Sequence, residues 1–421
     1  MKEYISLDVH KRYSLGEREE AETGRAVQQR VEHRPGAIRQ YLQGCEAGTE
    51  VAVEATGNWY WVVSEIEEAK LVPRLVHPRK AKLMMGMINK TDKLDVHGFN
   101  RLQRNRTLPT VWIAPAELRD LRELTRMRMV LSRQRARLKN RLHATLAKYG
   151  LEVEGFSDAF GAAARKRLEE LVGKLPPQTA WASGLLLEEL DQVQEHLERH
   201  EQRLKELLKV SPEMRRLKTL PGVGLILSAV IALEVGPVGR FASAQRLASY
   251  SGTVPRVSSS GGKTRYGRLR DDVNRYLKWA YMEAANVVAL NRRRWRDRDA
   301  AGGEGVGRHV SRLYERIRQR KGHAKAVGAV ARHLSEASWH VLDREQDYRE
   351  PRDAKGRPLV QRGPQPALVG GPVDQAGGGA GESGKKESDK RKSDKEKSNK
   401  EKSDNAVKAG RAKQGVSAVS S

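Results

Sequence analysis

The chain has 421 residues, one cysteine, and 79 lysines and arginines against 53 aspartates and glutamates, a formal net charge of +26. This length predicts two or three domains with hydrophobic cores of their own. A single cysteine excludes a disulfide-stapled secreted module and a zinc finger. No apolar stretch approaches about 18 residues and no signal peptide is evident, so we expect a soluble cytoplasmic protein with no membrane partner.

The positive charge lies on the segments that are expected to fold. Residues 1–350 hold 63 basic and 44 acidic side chains, and residues 101–150 alone hold 13 basic and 3 acidic ones. Charge of one sign on folded segments predicts a polyanionic partner with salt-dependent affinity. Nucleic acid is the favoured partner, and ribosomal RNA or an anionic membrane surface are the alternatives.

The first 110 residues alternate short strands with short helices, which indicates an α/β domain. Short runs of apolar and β-branched residues predict three strands, at residues 4–9, 50–54 and 71–76. Helices are predicted between them at residues 34–42 and 59–69.

Two long helices are predicted next. Residues 116–149 contain neither glycine nor proline and carry leucines at helical spacing beneath an arginine-rich outer face. Residues 183–210 carry a heptad-like apolar stripe. The two helices are expected to pair as a coiled-coil hairpin within the chain or at a dimer interface. Residues 215–345 then predict a compact helical region, and residues 370–421 a disordered low-complexity tail.

Acidic residues occur at positions where a basic protein has no obvious need of them. Asp8 ends the first predicted strand and Glu54 ends the second, while Asp92 and Asp95 lie one turn apart on a helix that Thr91 would cap. Four carboxylates brought together repel unless hard cations neutralise them, and Mg²⁺ held in this way serves phosphodiester chemistry. Singly, Asp92 is explained as a first-turn carboxylate that favours the helix dipole, and Asp8 as the end of a strand.

The segment Leu220-Pro221-Gly222-Val223-Gly224 predicts a turn between two helices. Free backbone N–H groups around Gly222 and Gly224 could contact a DNA phosphate at the start of the second helix. A tight turn for helix packing is the alternative.

Three serines and two glycines at residues 258–262 predict a flexible loop. A serine hydroxyl near Lys263, Arg265, Arg268 and Arg270 could hold a scissile phosphate, although most such loops have no catalytic role. Neither a nucleophile elbow nor a P-loop motif occurs in the sequence.

Together these motifs resemble the DEDD transposases of insertion sequences, in the IS-one-ten family related to the Piv invertases. The N-terminal motifs are Tyr-Ile-x-Leu-Asp8, Val-Glu54-Ala-Thr-Gly and Lys-Thr-Asp92-x-x-Asp95. The C-terminal motifs are Leu-Pro-Gly-Val-Gly, Leu-Ala-Ser-Tyr250-Ser-Gly and Ser260-Gly-Gly. The resemblance covers roughly residues 3–345, in the order and spacing of the family.

The resemblance implies three regions, namely an α/β RuvC-like (RNase H-type) catalytic domain, a long helical coiled-coil insertion, and a mainly α-helical C-terminal transposase domain with a serine nucleophile loop. The disordered basic tail, which has no expected counterpart in the family, is the fourth region of the chain. The bounds of the four regions are residues 1–112, 113–212, 213–345 and 346–421.

It also implies roles for individual residues. A metal-binding tetrad for Mg²⁺ would comprise Asp8, Glu54, Asp92 and Asp95. Ser260 would be the nucleophile, with Ser259 as its main competitor and Ser258 next. Apart from the resemblance, the positive charge of Lys263 and Arg265 could neutralise charge that develops in the transition state.

The implied activity is that of a DNA transposase that cuts and rejoins DNA through a phosphoserine intermediate. Its implied partners are donor DNA, target DNA, a bridge RNA that guides the reaction, and further copies of the chain in a dimer or tetramer. Such a protein would be associated with the nucleoid. Two alternatives are a Mg²⁺-dependent RuvC-like nuclease or junction resolvase without a covalent intermediate, and a catalytically decayed nucleic-acid-binding protein.

Guidance by RNA fits the absence of a zinc finger or a helix-turn-helix in the sequence, because base pairing would then read the target. The candidate RNA-binding surface is the arginine-rich helix face, formed by Arg122, Arg126, Arg133, Arg137 and Arg141. A solvated helix face is the alternative.

Overall fold

The fold comprises an N-terminal sheet, a pair of long helices and a C-terminal group of helices. We analysed a computed structural model, which describes residues 3–86, 91–207, 211–300 and 308–351. All of these belong to one compact unit, residues 1–360. The predicted tail from residue 352 onward, Lys90 and the predicted end of the second long helix at residue 210 lie outside the described residues.

The strands are β1 (Glu3–Val9), β2 (Tyr13–Glu20), β3 (Ala26–Glu32), β4 (Glu50–Glu54), β5 (Val72–Val76), β6 (Pro255–Ser260) and β7 (Lys263–Leu269). The N-terminal helices are α1 (Ala37–Tyr41), α2 (Trp59–Glu68), α3 (Pro78–Met85) and α4 (Asp92–Arg104). The helices of the middle region are α5 (Ala116–Lys148), α6 (Ala162–Gly173) and α7 (Pro177–Leu207). The C-terminal helices are α8 (Pro212–Leu217), α9 (Leu225–Val235), α10 (Ala244–Tyr250), α11 (Arg275–Ala300), α12 (Arg308–Lys321) and α13 (His323–Asp343).

The N-terminal sheet is mixed and has the strand order β3-β2-β1-β4-β5. β1 pairs in parallel with β4, and β4 with β5, whereas β1–β2 and β2–β3 are antiparallel. Ile5, Leu7, Val51 and Val53 are fully buried at its centre. The predicted mixture of strands and helices is confirmed here. Pro73 lies in the edge strand β5, where the backbone N–H that proline lacks is not needed for pairing.

The two long helices pack against each other within one chain and run antiparallel. Arg128 donates to Glu201 over 2.8 Å near one end of the pair, and Gln134 donates to Glu189 over 3.0 Å farther along. Their shared core is apolar and includes Leu138, Leu142, Leu146, Leu190, Val193 and Leu197, with α6 covering one side. The pairing is therefore the intramolecular one of the two arrangements expected from the sequence.

The C-terminal region is helical, as predicted, and packs around α9, α11 and α13. Its core includes Val230, Ile231, Leu277, Tyr281 and Leu334, all buried. None of the described helices is long and apolar enough to cross a membrane.

A buried carboxylate joins the long helix α5 to the C-terminal helices. Glu234, near the end of α9, has no exposed surface, and its oxygens accept from Arg126 over 2.7 and 3.2 Å and from Asn274 over 2.8 Å. Arg122 is buried beside it and donates to the carbonyls of Leu233 and Glu234 over 2.8 and 2.9 Å. Burial lowers the pKa of Arg122, while the pKa of Arg126 is raised by Glu234 against the effect of burial.

This network corrects the prediction for two of the five arginines of the proposed RNA-binding face. Arg122 and Arg126 point into the protein because Glu234 requires cationic partners, and a buried charge without a partner is strongly unfavourable. Arg133, Arg137 and Arg141 are exposed, as predicted.

Replacing Glu234 with alanine should lower the free energy of unfolding by about 3–5 kcal/mol, because two buried guanidinium groups lose their anion. Urea denaturation followed by circular dichroism would measure this change. Glu195→Ala is the control, since Glu195 pairs with Arg199 over 3.8 Å at the surface, and it should cost about 0–1 kcal/mol. Equal stability of the two variants would contradict the role given to Glu234.

Candidate active site

Two predicted carboxylates lie at the ends of neighbouring parallel strands. The pairing of β1 with β4 aligns Leu7 with Val53, so that Asp8 and Glu54 are the next residues on their strands. Asp8 is buried and Glu54 is half-buried. Because the strands are parallel, both side chains stand at the carboxyl edge of the sheet, where open α/β sheets generally bind ligands.

The other two predicted carboxylates lie in the first turn of α4. Thr91 caps this helix by accepting from the Leu94 N–H over 3.3 Å, as predicted, and Asp92 and Asp95 follow it. The buried Ser6 hydroxyl of β1 donates to the carbonyl of Val96 over 2.8 Å. This bond fixes the start of α4 beside the strand that carries Asp8.

The structure brings Asp8 and Asp92 together around a histidine that sequence reasoning missed. His10 Nε2 lies 3.3 Å from an Asp8 oxygen and 3.0 Å from an Asp92 oxygen, and Tyr13 donates to the same Asp92 oxygen over 3.3 Å. One ligand atom from each of Asp8, His10 and Asp92 lies within 4.8 Å of the others. The sequence does contain a clue to His10, because Asp8 and His10 are two residues apart at a strand end. Side chains two residues apart on a strand lie on the same face.

The donors of this cluster suit a divalent metal ion. His10 Nε2 is buried and makes no hydrogen bond within the described residues, although two carboxylates lie beside it. Burial and the neighbouring Asp92 carboxylate raise the pKa of the Tyr13 phenol. Two carboxylates and a neutral imidazole are a recognised donor set for divalent cations.

The predicted serine loop is instead a β-hairpin. β6 and β7 pair antiparallel, and Gly261 and Gly262 connect them with φ angles of +55° and +71°. Positive φ at both turn residues favours a two-residue hairpin, which explains why glycine occupies both positions. The expectation of a flexible loop was wrong. It considered the consecutive serines alone and left out the basic segment after them, which pairs with them as a strand.

The register of the hairpin separates the three serines. Ser260 pairs with Lys263 and Ser258 with Arg265, whereas Ser259 pairs with Thr264. Side chains of paired residues share a face and alternate along a strand. Ser258 and Ser260 therefore share one face with two cations, while the Ser259 hydroxyl lies 3.4 Å from that of Thr264 on the other face. Both faces are exposed to solvent.

The segment after the hairpin lies beside the carboxyl edge of the sheet. Arg270 donates to Asp272 over 2.8 Å and, with a smaller contribution from Arg79, lowers the pKa of Asp272 to about 2. His77, which follows β5, has its pKa lowered mainly by burial and is also within electrostatic range of Asp272. The base of the hairpin thus lies near the end of β5, the strand that pairs with β4, which ends at Glu54.

The glycine turn between α8 and α9 has the packing role that was one of the two alternatives considered for it. Gly222 has φ +79°, and a Cβ there would lie 2.3 Å from the carbonyl oxygen of Ala284 on α11, so Gly222 serves close packing. Gly224 is exposed at the start of α9 with no atom near its Cβ position among the described residues. This packing explains the glycine at position 222, and a phosphate contact through the backbone N–H of Gly222 or Gly224 stays a prediction.

Comparison with known proteins agrees with these features. Residues 6–150 match the family model for the DEDD transposases of IS110, and residues 214–300 match the model described as the transposase IS116/IS110/IS902 family. The "Probable family 20 transposase" of Pseudomonas aeruginosa is 26% identical over 71% of this chain and 85% of its own length. The transposase for insertion sequence element IS1111A of Coxiella burnetii is 23% identical over 71% and 79%. The transposase for element IS1328 of Yersinia enterocolitica is 24% identical over 59% and 73%.

These matches define the protein as a DNA transposase. The chain belongs to the IS110 family of insertion-sequence transposases, which confirms the family given above as IS-one-ten. The acidic cluster is compatible with a divalent metal ion in a DEDD transposase.

Substituting the two turn glycines should separate packing from DNA contact. Gly222→Ala should lower the free energy of unfolding by roughly 2 kcal/mol or more, because a Cβ strains a left-handed residue and meets the Ala284 backbone. Gly224→Ala should leave stability almost unchanged. Thermal denaturation of both variants would measure this, and a stable Gly222→Ala protein would argue against the packing role.

Proposed function

We propose that this transposase cuts DNA by attack of the Ser260 hydroxyl on a phosphodiester and rejoins it from the resulting phosphoserine. The observation that carries the proposal is the hairpin register, which puts Ser260 on the same face as Lys263 and Arg265. Two cations beside a hydroxyl can hold a DNA phosphate and offset the charge that develops during attack. Ser259 lacks these neighbours on its face.

The bonds balance without an external energy source. The serine Oγ–P bond forms as one P–O bond of the DNA backbone breaks, and the departing DNA oxygen takes up a proton. Attack by a DNA hydroxyl on the phosphoserine reverses the exchange and releases the serine. The ester stores the bond energy, so rejoining needs no nucleotide cofactor.

The carboxylate edge of the N-terminal sheet is proposed as the metal site of a RuvC-like domain. Asp8, Glu54, Asp92 and Asp95 would hold Mg²⁺, which when bound would polarise the phosphate and favour loss of the serine proton. The chain's own contribution is placement. β1 and β4 position Asp8 and Glu54 at one sheet edge, and the anchoring of α4 on Ser6 positions Asp92 beside them.

A covalent-adduct assay tests the nucleophile. The protein would be incubated with labelled cognate DNA, Mg²⁺ and the transcript that flanks its gene, then separated on a denaturing gel. Wild type and Ser259→Ala should give a slow protein–DNA band, and Ser260→Ala and Asp8→Asn should lose it, because the first lacks the nucleophile and the second a metal ligand.

Other outcomes of this assay would contradict the proposal. A band that survives in Ser260→Ala but not in Ser258→Ala would assign attack to Ser258, which shares the same face. Free nicked DNA without an adduct would favour a metal-dependent nuclease, and binding without strand scission a decayed enzyme.

A bridge RNA is the proposed guide, and the outer face of α5 is its proposed contact. Arg133, Arg137 and Arg141 recur every four residues, are exposed and form no ion pair within the described part of the chain. Cations free of acidic partners at this spacing can each contact a phosphate of a nucleic-acid backbone. We further propose that the chain acts as a homo-oligomer, a dimer or a tetramer.

Replacing these three arginines with alanine should weaken RNA binding and reduce the slope of log affinity against log salt by roughly 2, because about three phosphate contacts are lost. Filter binding of the flanking transcript over a salt series would measure this. The control replaces Arg167, Arg199 and Arg203, which are exposed but paired with glutamates of their own helices. An identical change in both triple variants would show that only net charge matters.

A further inference from the structure

We infer that His10 is a direct ligand of the divalent cation at the carboxylate cluster and that this nitrogen donor gives the site a preference for Mn²⁺ over Mg²⁺. The inference rests on the proposed metal site and adds a residue outside the DEDD tetrad. It is carried by the position of His10 Nε2, which lies 3.3 Å from Asp8 and 3.0 Å from Asp92.

The backbone of His10 is held by two hydrogen bonds, and its imidazole by one ring contact. Asn58, in the turn that follows Glu54, donates from Nδ2 to the His10 carbonyl over 2.8 Å. The His10 N–H donates to the Tyr13 carbonyl over 2.9 Å, and the two rings are in contact with their centroids 4.5 Å apart. A fixed backbone and a ring packed on Tyr13 limit the conformations of the side chain, which lowers the entropy that metal binding would cost.

The direction of Nε2 distinguishes a ligand from an ion-pair partner. Both carboxylates are close enough to accept a proton from Nε2, yet the geometry forms a hydrogen bond with neither within the described residues. A proton on Nε2 would therefore point between the two acceptors. A lone pair in that direction would instead meet an ion that all three side chains can share, because their ligand atoms lie within 4.8 Å of one another.

The donor set determines which ion is favoured. Mg²⁺ prefers oxygen ligands in near-ideal octahedra and retains several waters. Imidazole nitrogen suits first-row transition metals better, and Mn²⁺ combines tolerance of carboxylates with acceptance of nitrogen. A site with Asp8, Asp92 and His10 should thus bind Mn²⁺ more tightly than an all-carboxylate site would.

Electron spin-echo spectroscopy of bound Mn²⁺ tests this ligand without relying on catalysis. The full-length protein with Mn²⁺ alone should show modulation from a directly bound imidazole nitrogen, and labelling histidine with ¹⁵N should change that modulation. His10→Gln should abolish the modulation and weaken Mn²⁺ binding by roughly tenfold, with a smaller effect on Mg²⁺ affinity. His33→Gln is the matched control, because His33 contacts the Ser14 hydroxyl over 2.8 Å and is not in the cluster.

The outcomes separate this inference from the proposed function. Mn²⁺ bound in a manner that Asp8→Asn abolishes, but without nitrogen modulation in wild type, would overturn the role of His10 and leave the carboxylate site standing. No specific Mn²⁺ or Mg²⁺ binding by wild type would overturn both. If His10→Gln fails to fold, His97→Gln is the deciding variant, because Glu17, Glu19 and His97 form another described group of possible metal ligands. Loss of the nitrogen modulation in His97→Gln would overturn the role of His10, and its retention would support it.

Discussion

The parallel pairing of β1 with β4 is the constraint on which the candidate active site depends. These strands are distant in sequence, and their register alone makes Asp8 and Glu54 adjacent at one sheet edge. Like charges this close repel strongly in a partly buried site. Hydrogen bonds that the same elements make elsewhere offset this repulsion. The Ser6 hydroxyl and the Gln103 amide tie β1 to α4, which brings Asp92 into the same space.

A second constraint operates between regions. Arg126 donates to Glu234 of α9 over 2.7 Å and to the Tyr60 hydroxyl of α2 over 3.2 Å, and its guanidinium carbon lies 4.7 Å from the centre of the Tyr276 ring of α11. One guanidinium therefore contacts the helix after Glu54, the α9 carboxylate and the helix after the serine hairpin. Since buried charge pairs tolerate little displacement, this contact links the positions of the two halves of the candidate site.

Much of this arrangement could be predicted from local patterns. The strands β1, β4 and β5 are apolar runs, and Thr91 and the two aspartates after it have the pattern of a helix start. Strands β2 and β3 could not be predicted because their pattern is polar. Glu17 and Glu19 are buried in β2. Their partners, Asn100 and Arg104, belong to α4. Hydrophobic periodicity does not predict such polar contacts.

Two of the remaining differences arise from distance along the chain, and a third arises from an unrecognised strand pairing. Arg126 and Glu234 are 108 residues apart, and a row of arginines on one helix does not reveal which of them meets a buried carboxylate. The position of His10 in the acidic cluster is evident only in the folded chain, where α4 places Asp92 beside it. Ser259 lies on the opposite face of the hairpin from Ser258 and Ser260 because of the way β6 pairs with β7. This pairing could not be predicted, since a run of serines and glycines does not indicate a strand.

The serine hairpin is supported mainly by its own ladder, with both strands exposed along nearly their whole length. An isolated two-stranded ribbon is only marginally stable in water. In the proposed reaction, DNA on the basic face of the hairpin would supply further contacts, so the Ser260 hydroxyl would be held firmly only with substrate bound. A nucleophile ordered at the expense of substrate-binding energy would then discriminate against DNA that cannot complete the contacts.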